Sequence, residues 1–143
     1  MIEAWDTARL VRESAVVVQA VVGEQQAVSP DGTNIFTDTR LSVRRYVFGS
    51  GPTTLWVRQL GGRIGDRWMH VSGTLALKPG QEVLLFLVGT GDRRFVAGMA
   101  QGGYQVVREA SSVMVERAFP HRRLSLADLE REVRAAERAR LRR

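Results

Sequence analysis

Two segments of the chain are apolar at consecutive positions, and this sets them apart from the rest of the sequence. Residues 15–22 read Ala-Val-Val-Val-Gln-Ala-Val-Val, and residues 83–88 read Val-Leu-Leu-Phe-Leu-Val. A strand with two apolar faces belongs inside a sheet that is covered on both sides, and β-branched residues favour that structure. We therefore predict two central strands, one that runs on to Val28 and one over residues 82–88.

Two segments between them alternate apolar and polar residues instead. In residues 35–47, Leu41 and Val43 lie on the side that also carries Ile35, and residues 53–59 alternate in the same way. A period of two predicts strands with one buried and one polar face. Arg45 interrupts the apolar side, so a bulge or a strand end is predicted there.

Turn-forming residues separate these segments at short intervals. Ser29–Asn34, Gly49–Pro52, residues 61–66 and Lys78–Gln81 are rich in Gly, Pro, Asp, Asn and Ser. Such punctuation is typical of six to eight short strands in a small antiparallel β-barrel or sandwich. No helical pattern of ten or more residues lies between strands, which disfavours a βαβ fold.

Helical patterns occur at the two ends of the chain. The pattern of residues 4–13 predicts a short helix. Near the other end, Ser125 can cap a longer helix that runs from about Leu126 to Arg140. One apolar stripe runs along the first part of this helix, through Leu126, Leu129, Val133 and Ala136. We expect the first half of the helix to dock and the last turns to be solvated or frayed.

The charge of the chain is concentrated at its C-terminal end. Residues 117–143 contain nine Arg and four acidic residues, which leaves +5 of the total formal charge of +6. The sequence thus divides into a β domain with its N-terminal helix (1–116) and a linker with an Arg-rich helix (117–143). An Arg-rich helix can neutralise phosphates or bind an acidic surface, whereas the interspersed acids favour a solvated, docked helix. The candidate binding residues of this tail are Arg131, Arg134, Arg138 and Arg140.

A second candidate surface combines arginines with aromatic residues on neighbouring strands. If the turn at 49–52 gives a simple register, one face carries Arg40, Arg44, Tyr46, Trp56 and Arg58. Such a face can stack bases and contact the backbone of single-stranded nucleic acid. The favoured alternative is that helices cover the aromatic rings and the Arg stems pack over them. Asp38 on the same face also counts against a nucleic-acid groove.

Catalytic chemistry has little support in the sequence. The chain has no Cys, and its two His residues, His70 and His121, are not set among metal-ligand or nucleophile motifs. The glycines at 61–65 match neither the Walker A nor the dinucleotide pattern. We therefore predict a protein that is not an enzyme, with no catalytic residue, no cofactor and no metal.

Five segments of the chain carry a resemblance to a known group of proteins. The order and spacing of these segments resembles an uncharacterised family of small exported bacterial proteins and, more loosely, the netrin-type barrels with an oligonucleotide-binding-like fold. The segments are Leu10–Val18, Arg44–Gly49, Val57–Gly62, Pro79–Leu87 and Val96–Tyr104. The resemblance spans about residues 9–136 and implies a β-barrel and export. It implies no activity.

The sequence therefore leads to two hypotheses about function. The first is a non-enzymatic binding module of the bacterial envelope or secreted space that recognises a protein or peptide. The alternative is a nucleic-acid-binding β-barrel with an Arg-rich tail. The predicted location is periplasmic or secreted, with a leader already removed before Met1, and the alternative location is cytoplasmic. No apolar run approaches the ~20 residues that span a bilayer.

Overall fold

The computed structural model describes residues 3–141, and in this part the chain forms ten β-strands, two α-helices and one short 3-10 helix. In chain order the elements are α1 (Thr7–Glu13), β1 (Val16–Val28), β2 (Phe36–Phe48), β3 (Thr54–Leu60), β4 (Gly62–Ile64), β5 (Arg67–Met69), β6 (Glu82–Val88), β7 (Arg93–Val96), the 3-10 helix (Met99–Gly102), β8 (Gly103–Arg108), β9 (Val113–Arg117), β10 (Arg122–Ser125) and α2 (Leu126–Leu141). The mostly β prediction with a helix at each end is confirmed.

Eight of these strands form one mixed sheet. The strand order is β1-β2-β3-β7-β6-β8-β9-β10, and β1 pairs with β6 as well as with β2. The pairings therefore run from β1 through β2, β3, β7 and β6 and return to β1, and we call these five strands the ring. Strands β8 to β10 extend from β6. Every pair is antiparallel except β3–β7, where Trp56 lies opposite Arg93 in parallel register. The prediction of a purely antiparallel sheet is wrong at this pair.

The two strands with consecutive apolar residues are β1 and β6, and each is covered on both faces. On one face Val18, Ala20 and Leu85 join a cluster with Leu41 of β2 and Leu55 of β3. On the other face Val17 and Phe86 lie in a second cluster, beneath the two helices. This double burial explains why neither strand has a polar side over these residues.

A bulge in β2 changes which side of the strand faces inward. Gln19 pairs with Arg45 and Ala20 pairs with Val43, so the register shifts at Arg44. An extra residue in one strand reverses the alternation beyond it. Tyr46 consequently packs against the inner cluster rather than pointing outward. The predicted irregularity near Arg45 is confirmed, but the predicted common face for Tyr46 and Trp56 is wrong.

Helix α2 packs against α1 and the sheet along most of its length. Leu129 and Val133 are fully buried together with Leu10 and Val11 of α1. In the last turn of α2, the Arg140 guanidinium donates hydrogen bonds to carbonyl oxygens of Val11 (3.0 Å) and Ser14 (2.8 Å) at the end of α1. A cation at a helix C-terminus is also favoured by the helix dipole. Residues 138–141 are exposed, which agrees with the expectation of solvated last turns, although Arg140 also bonds to α1.

We predict that Leu129→Ala lowers the free energy of unfolding by about 2–4 kcal/mol, because it leaves a cavity between α2 and the sheet. Urea denaturation followed by circular dichroism measures the change. Leu141→Ala is the matched control, since it makes the same replacement on the same helix at a side chain that is 77% exposed. An equal loss in both variants would show that docking of α2 does not depend on Leu129.

Candidate functional site

The structure brings together three of the five residues predicted to form an aromatic and basic face. Arg40 of β2 lies opposite Trp56 of β3, and Asp38 lies opposite Arg58. Arg93 of β7 adds a further cation beside Trp56. The sequence did not indicate Arg93, because the parallel pairing of β3 with β7 joins strands that are separated by the residues of β4 to β6.

The charges on this face are largely neutralised by nearby carboxylates. The Arg58 guanidinium donates hydrogen bonds to both Asp38 oxygens, at 2.7 and 2.9 Å, and this pairing raises the pKa of Arg58. Asp38 also lies 3.7 Å from Arg93, and Arg40 lies 3.8 Å from Glu24. Arg40 and Arg93 remain about half exposed.

The other two predicted residues occupy different positions. Arg44 is the extra residue of the bulge and is exposed. Tyr46 reaches across the turn between β2 and β3, where its hydroxyl donates a hydrogen bond to the Pro52 carbonyl oxygen at 2.7 Å. A Cβ atom at Gly51 would lie 2.6 Å from that hydroxyl oxygen, so the turn needs glycine there. Burial raises the pKa of Tyr46.

The arginines of the basic tail are mostly engaged within the molecule. Arg131 pairs with Asp128 at 2.5 Å and Arg134 with Glu130 at 3.6 Å, both within α2. Arg140 binds the end of α1, as described above. Within residues 3–141, Arg138 is the one candidate of this tail without a recorded ion pair or side-chain hydrogen bond. The sequence showed the excess of Arg but not how many of these residues have partners.

Two polar clusters fasten the helices to the sheet. In the first, the Glu132 carboxylate accepts hydrogen bonds from Arg122 of β10 (2.8 and 2.6 Å) and from the Thr7 hydroxyl of α1 (2.7 Å). These bonds lower the pKa of Glu132, chiefly through Arg122, and they raise that of Arg122. One carboxylate therefore connects α1, β10 and α2.

The second cluster crosses β1, β6 and β8. Glu82 accepts hydrogen bonds from Arg108 (2.9 Å) and Gln19 (2.7 Å), and these contacts lower its pKa, with Arg108 the larger cause. Gln19 in turn accepts a bond from Arg45 at 2.7 Å, and Arg45 pairs with Glu130 of α2. These contacts connect α2 to the strands of the sheet.

A cleft of about 730 Å³ lies beside β8 and β9. One wall is residues 74–78, which we call the strap, and the opposite wall consists of β8, the end of β9 and the residues that follow it. Apolar lining comes from Leu75, Leu77 and Val83, and polar lining comes from Lys78, Gln105, Glu116 and Arg117. Phe119 lies at the cleft with 60% of its surface exposed.

Two glutamine side chains hold the strap. The Gln59 amide accepts a hydrogen bond from the Leu75 N–H (2.8 Å) and donates one to the Leu75 carbonyl oxygen (2.9 Å). The Gln25 amide donates to the Leu77 carbonyl oxygen at 2.9 Å. Leu75 also packs directly on Gly103, where a side chain would collide with it. This segment could not be recognised in the sequence, because it contains no regular period and its partners lie in β1, β3 and β8.

A smaller cavity of about 270 Å³ lies on the other side of the strap. Its lining is largely polar and includes Gln25, Thr37, Gln59 and His70. No hydrogen bond from His70 to a carboxylate or hydroxyl is recorded among residues 3–141. In the same part of the chain, no three His, Asp or Glu side chains come together as metal ligands would. None of its helices has the length and apolar character needed to cross a bilayer.

Comparison with known proteins does not assign this site. A scan against protein-family models and a search of the curated proteins both found no match. The resemblance to small exported bacterial proteins therefore stays a prediction from the sequence. The cleft and the β2–β3–β7 face are the two candidate sites on the molecule.

We predict that Glu132→Gln lowers the free energy of unfolding at pH 7 by about 1 kcal/mol, a value reduced for solvent screening because the side chain is partly exposed. The folded-state pKa of Glu132 lies below its ordinary value of 4.5. Its stabilising contribution is therefore present above pH 4.5 and is lost as the pH falls through the folded-state pKa. Urea denaturation measures the free energy of unfolding at pH 7 and pH 3. The difference between the variant and the wild type should be smaller at pH 3 than at pH 7.

Glu137→Gln is the matched control for this experiment. It removes the same charge from the same helix at a residue with no recorded ion pair within residues 3–141. An equal loss of unfolding free energy in the two variants would contradict the assigned role of Glu132. So would a loss in Glu132→Gln that is the same at pH 3 as at pH 7.

Proposed function

We propose that this protein is a non-enzymatic binding module whose cleft receives a segment of another protein or a peptide. The observation that carries the proposal is the cleft itself, with an apolar floor, a few polar residues and an exposed aromatic ring at its edge. Its volume of about 730 Å³ is in the range typical of ligand sites. Exposed aromatic residues beside an apolar recess are characteristic of protein-binding surfaces.

We further propose that the ring of pairings β1-β2-β3-β7-β6 is a closed barrel of the oligonucleotide-binding type. Support comes from the pairing of β1 with β6 and from the parallel pair β3–β7, which together return the sheet to its first strand. In such a barrel the cleft lies where β8 and β9 diverge from the ring. The periplasm or secreted space is the location we propose, on the basis of the sequence resemblance, and fractionation of cells that express the natural gene tests it.

A second candidate function is binding of single-stranded nucleic acid on the β2–β3–β7 face. The observation that favours it is the position of Trp56 between Arg40 and Arg93, since aromatic stacking combined with cations is how such faces bind. The pairing of Arg58 with Asp38 reduces the positive charge available there. The engaged arginines of α2 likewise argue against the tail as a phosphate-binding element. Recognition of a protein segment is for these reasons the favoured function.

We predict that Ala76→Arg weakens peptide binding at least tenfold, because Ala76 is exposed on the strap and a long side chain there fills the cleft. Peptides are first selected from a phage-displayed library of random 12-residue sequences on the wild-type chain. Their affinities for wild type and variant are then compared by fluorescence anisotropy. Circular dichroism confirms that the variant is folded.

Ala135→Arg provides the matched control, since it adds the same charge at an exposed position on α2 that does not line the cleft. Wild-type affinity is expected for this variant. Equal binding by both variants would place the peptide elsewhere on the surface and overturn the proposal for the cleft.

For the second candidate function, we predict that the double variant Arg40→Gln/Arg93→Gln weakens binding of a fluorescein-labelled 15-mer of thymidine. The slope of log K against log salt should also fall by about 1.4, because two phosphate contacts are lost. Arg12→Gln/Arg138→Gln removes the same charge from the helices and is the control. Equal losses in the two double variants would indicate an effect of net charge alone and exclude this face.

A further inference from the structure

The strap uses backbone groups of Leu75, Leu77 and Lys78 within the molecule, and it leaves a free edge at Ala76. We propose that the free edge receives an extended, carboxylate-bearing peptide segment by β-strand addition at Ala76. This inference rests on the proposed function of the cleft and names the recognition mode and the chemistry of the partner. It places a peptide strand between the strap and the wall formed by β8 and β9.

The used edge is defined by the bonds to the two glutamines. Leu75 bonds through both its N–H and its C=O, and Leu77 through its C=O, and the partners Gln59 and Gln25 come from the strands behind the strap. The bonded residues are two apart. In an extended chain, successive residues direct their backbone groups to opposite sides, so residues two apart share a side. The spacing therefore identifies the strap as an extended segment.

The backbone groups of the intervening residue, Ala76, point the other way. Ala76 is exposed and lines the cleft, and it makes no recorded hydrogen bond to any residue in the described part of the chain. An unpaired N–H and C=O on an extended segment are the template for strand addition. A partner strand would lie about 4.8 Å from the strap.

The opposite wall of the cleft suits the side chains of such a strand. Gln105 of β8 is exposed, and it pairs through the backbone with Glu116 of β9 on that wall. Side chains of an added strand alternate, so every second one would meet the apolar floor around Val83. Alternate apolar residues are therefore part of the expected peptide.

The charges around the cleft select a carboxylate. Glu116 is paired with Arg123 at 2.9 Å, so its charge is compensated. Lys78 and Arg117 also line the cleft, and neither has a recorded ion pair among residues 3–141. Arg117 is only 7% exposed and is held by the carbonyl oxygens of Gln101 and Pro120, at 2.9 and 2.8 Å, rather than by an acid. A buried cation without a carboxylate favours an anionic partner.

Backbone methylation of the peptide tests the strand addition. The tightest peptide from the phage selection is synthesised with N-methylation at one position at a time, and each version is measured by fluorescence anisotropy on the full chain. Strand addition predicts a loss of at least tenfold when the residue opposite Ala76 is methylated and little change at its two neighbours, because their amides face away from the strap. Losses of equal size at consecutive positions, or no loss at any position, would overturn it while leaving the cleft as the binding site.

The carboxylate is tested on both sides of the complex. Replacing each Glu or Asp of the peptide by Gln or Asn, and terminating the peptide as an amide, should reveal one carboxylate whose loss weakens binding about tenfold. In the Lys78→Gln variant, replacement of this carboxylate should weaken binding much less than in the wild type. In the Lys78→Arg variant it should still weaken binding about tenfold. Peptides that bind equally well without any carboxylate would overturn the charge assignment. Failure to select any peptide that Ala76→Arg excludes would overturn the proposed function and the strand addition together.

Discussion

The double burial of β1 is the constraint on which the rest of the structure depends. Apart from Gln19, its residues from Val16 to Val22 are apolar on both faces, so the chain must supply a cover for each. The ring of strands supplies one cover, and the pair of helices supplies the other. The Arg-rich tail is therefore required for the fold, because without α2 the outer face of β1 and β6 would lie open to water. The polar clusters around Glu132 and Glu82 then fix where the helices rest.

This arrangement changes the interpretation of charge in the sequence. An excess of arginine at one end of a chain suggests an electrostatic surface, yet most of these guanidinium groups hold carboxylates or carbonyl oxygens of the same molecule. Arg122 and Arg140 act between elements that are distant in sequence, and their partners in α1 and α2 were not predictable from local spacing. Lys78 and Arg117, the cations that line the cleft without a recorded ion pair among residues 3–141, were not among the candidate residues that the sequence indicated.

Local patterns were sufficient for the strands and helices and insufficient for the sites. The consecutive apolar residues of β1 and β6 and the capped stripe of α2 could be recognised because each depends on neighbours within a few residues. The position of Tyr46 could not be recognised in this way, since one bulged residue reverses which face of the sheet each later side chain lies on. The pairing of β3 with β7 and the path of the strap depend on contacts across the whole chain. Those long-range contacts create both candidate surfaces.

The bonds from Arg140 to Val11 and Ser14 have a consequence for how the protein is made. They join residues that are 129 and 126 positions apart, so the first helix cannot be secured until α2 has left the ribosome. Until then the apolar outer face of β1 and β6 lacks half of its cover, and contacts of such long sequence separation form slowly. Until α2 is complete, the nascent chain thus exposes an apolar sheet surface of the kind at which incompletely folded chains aggregate.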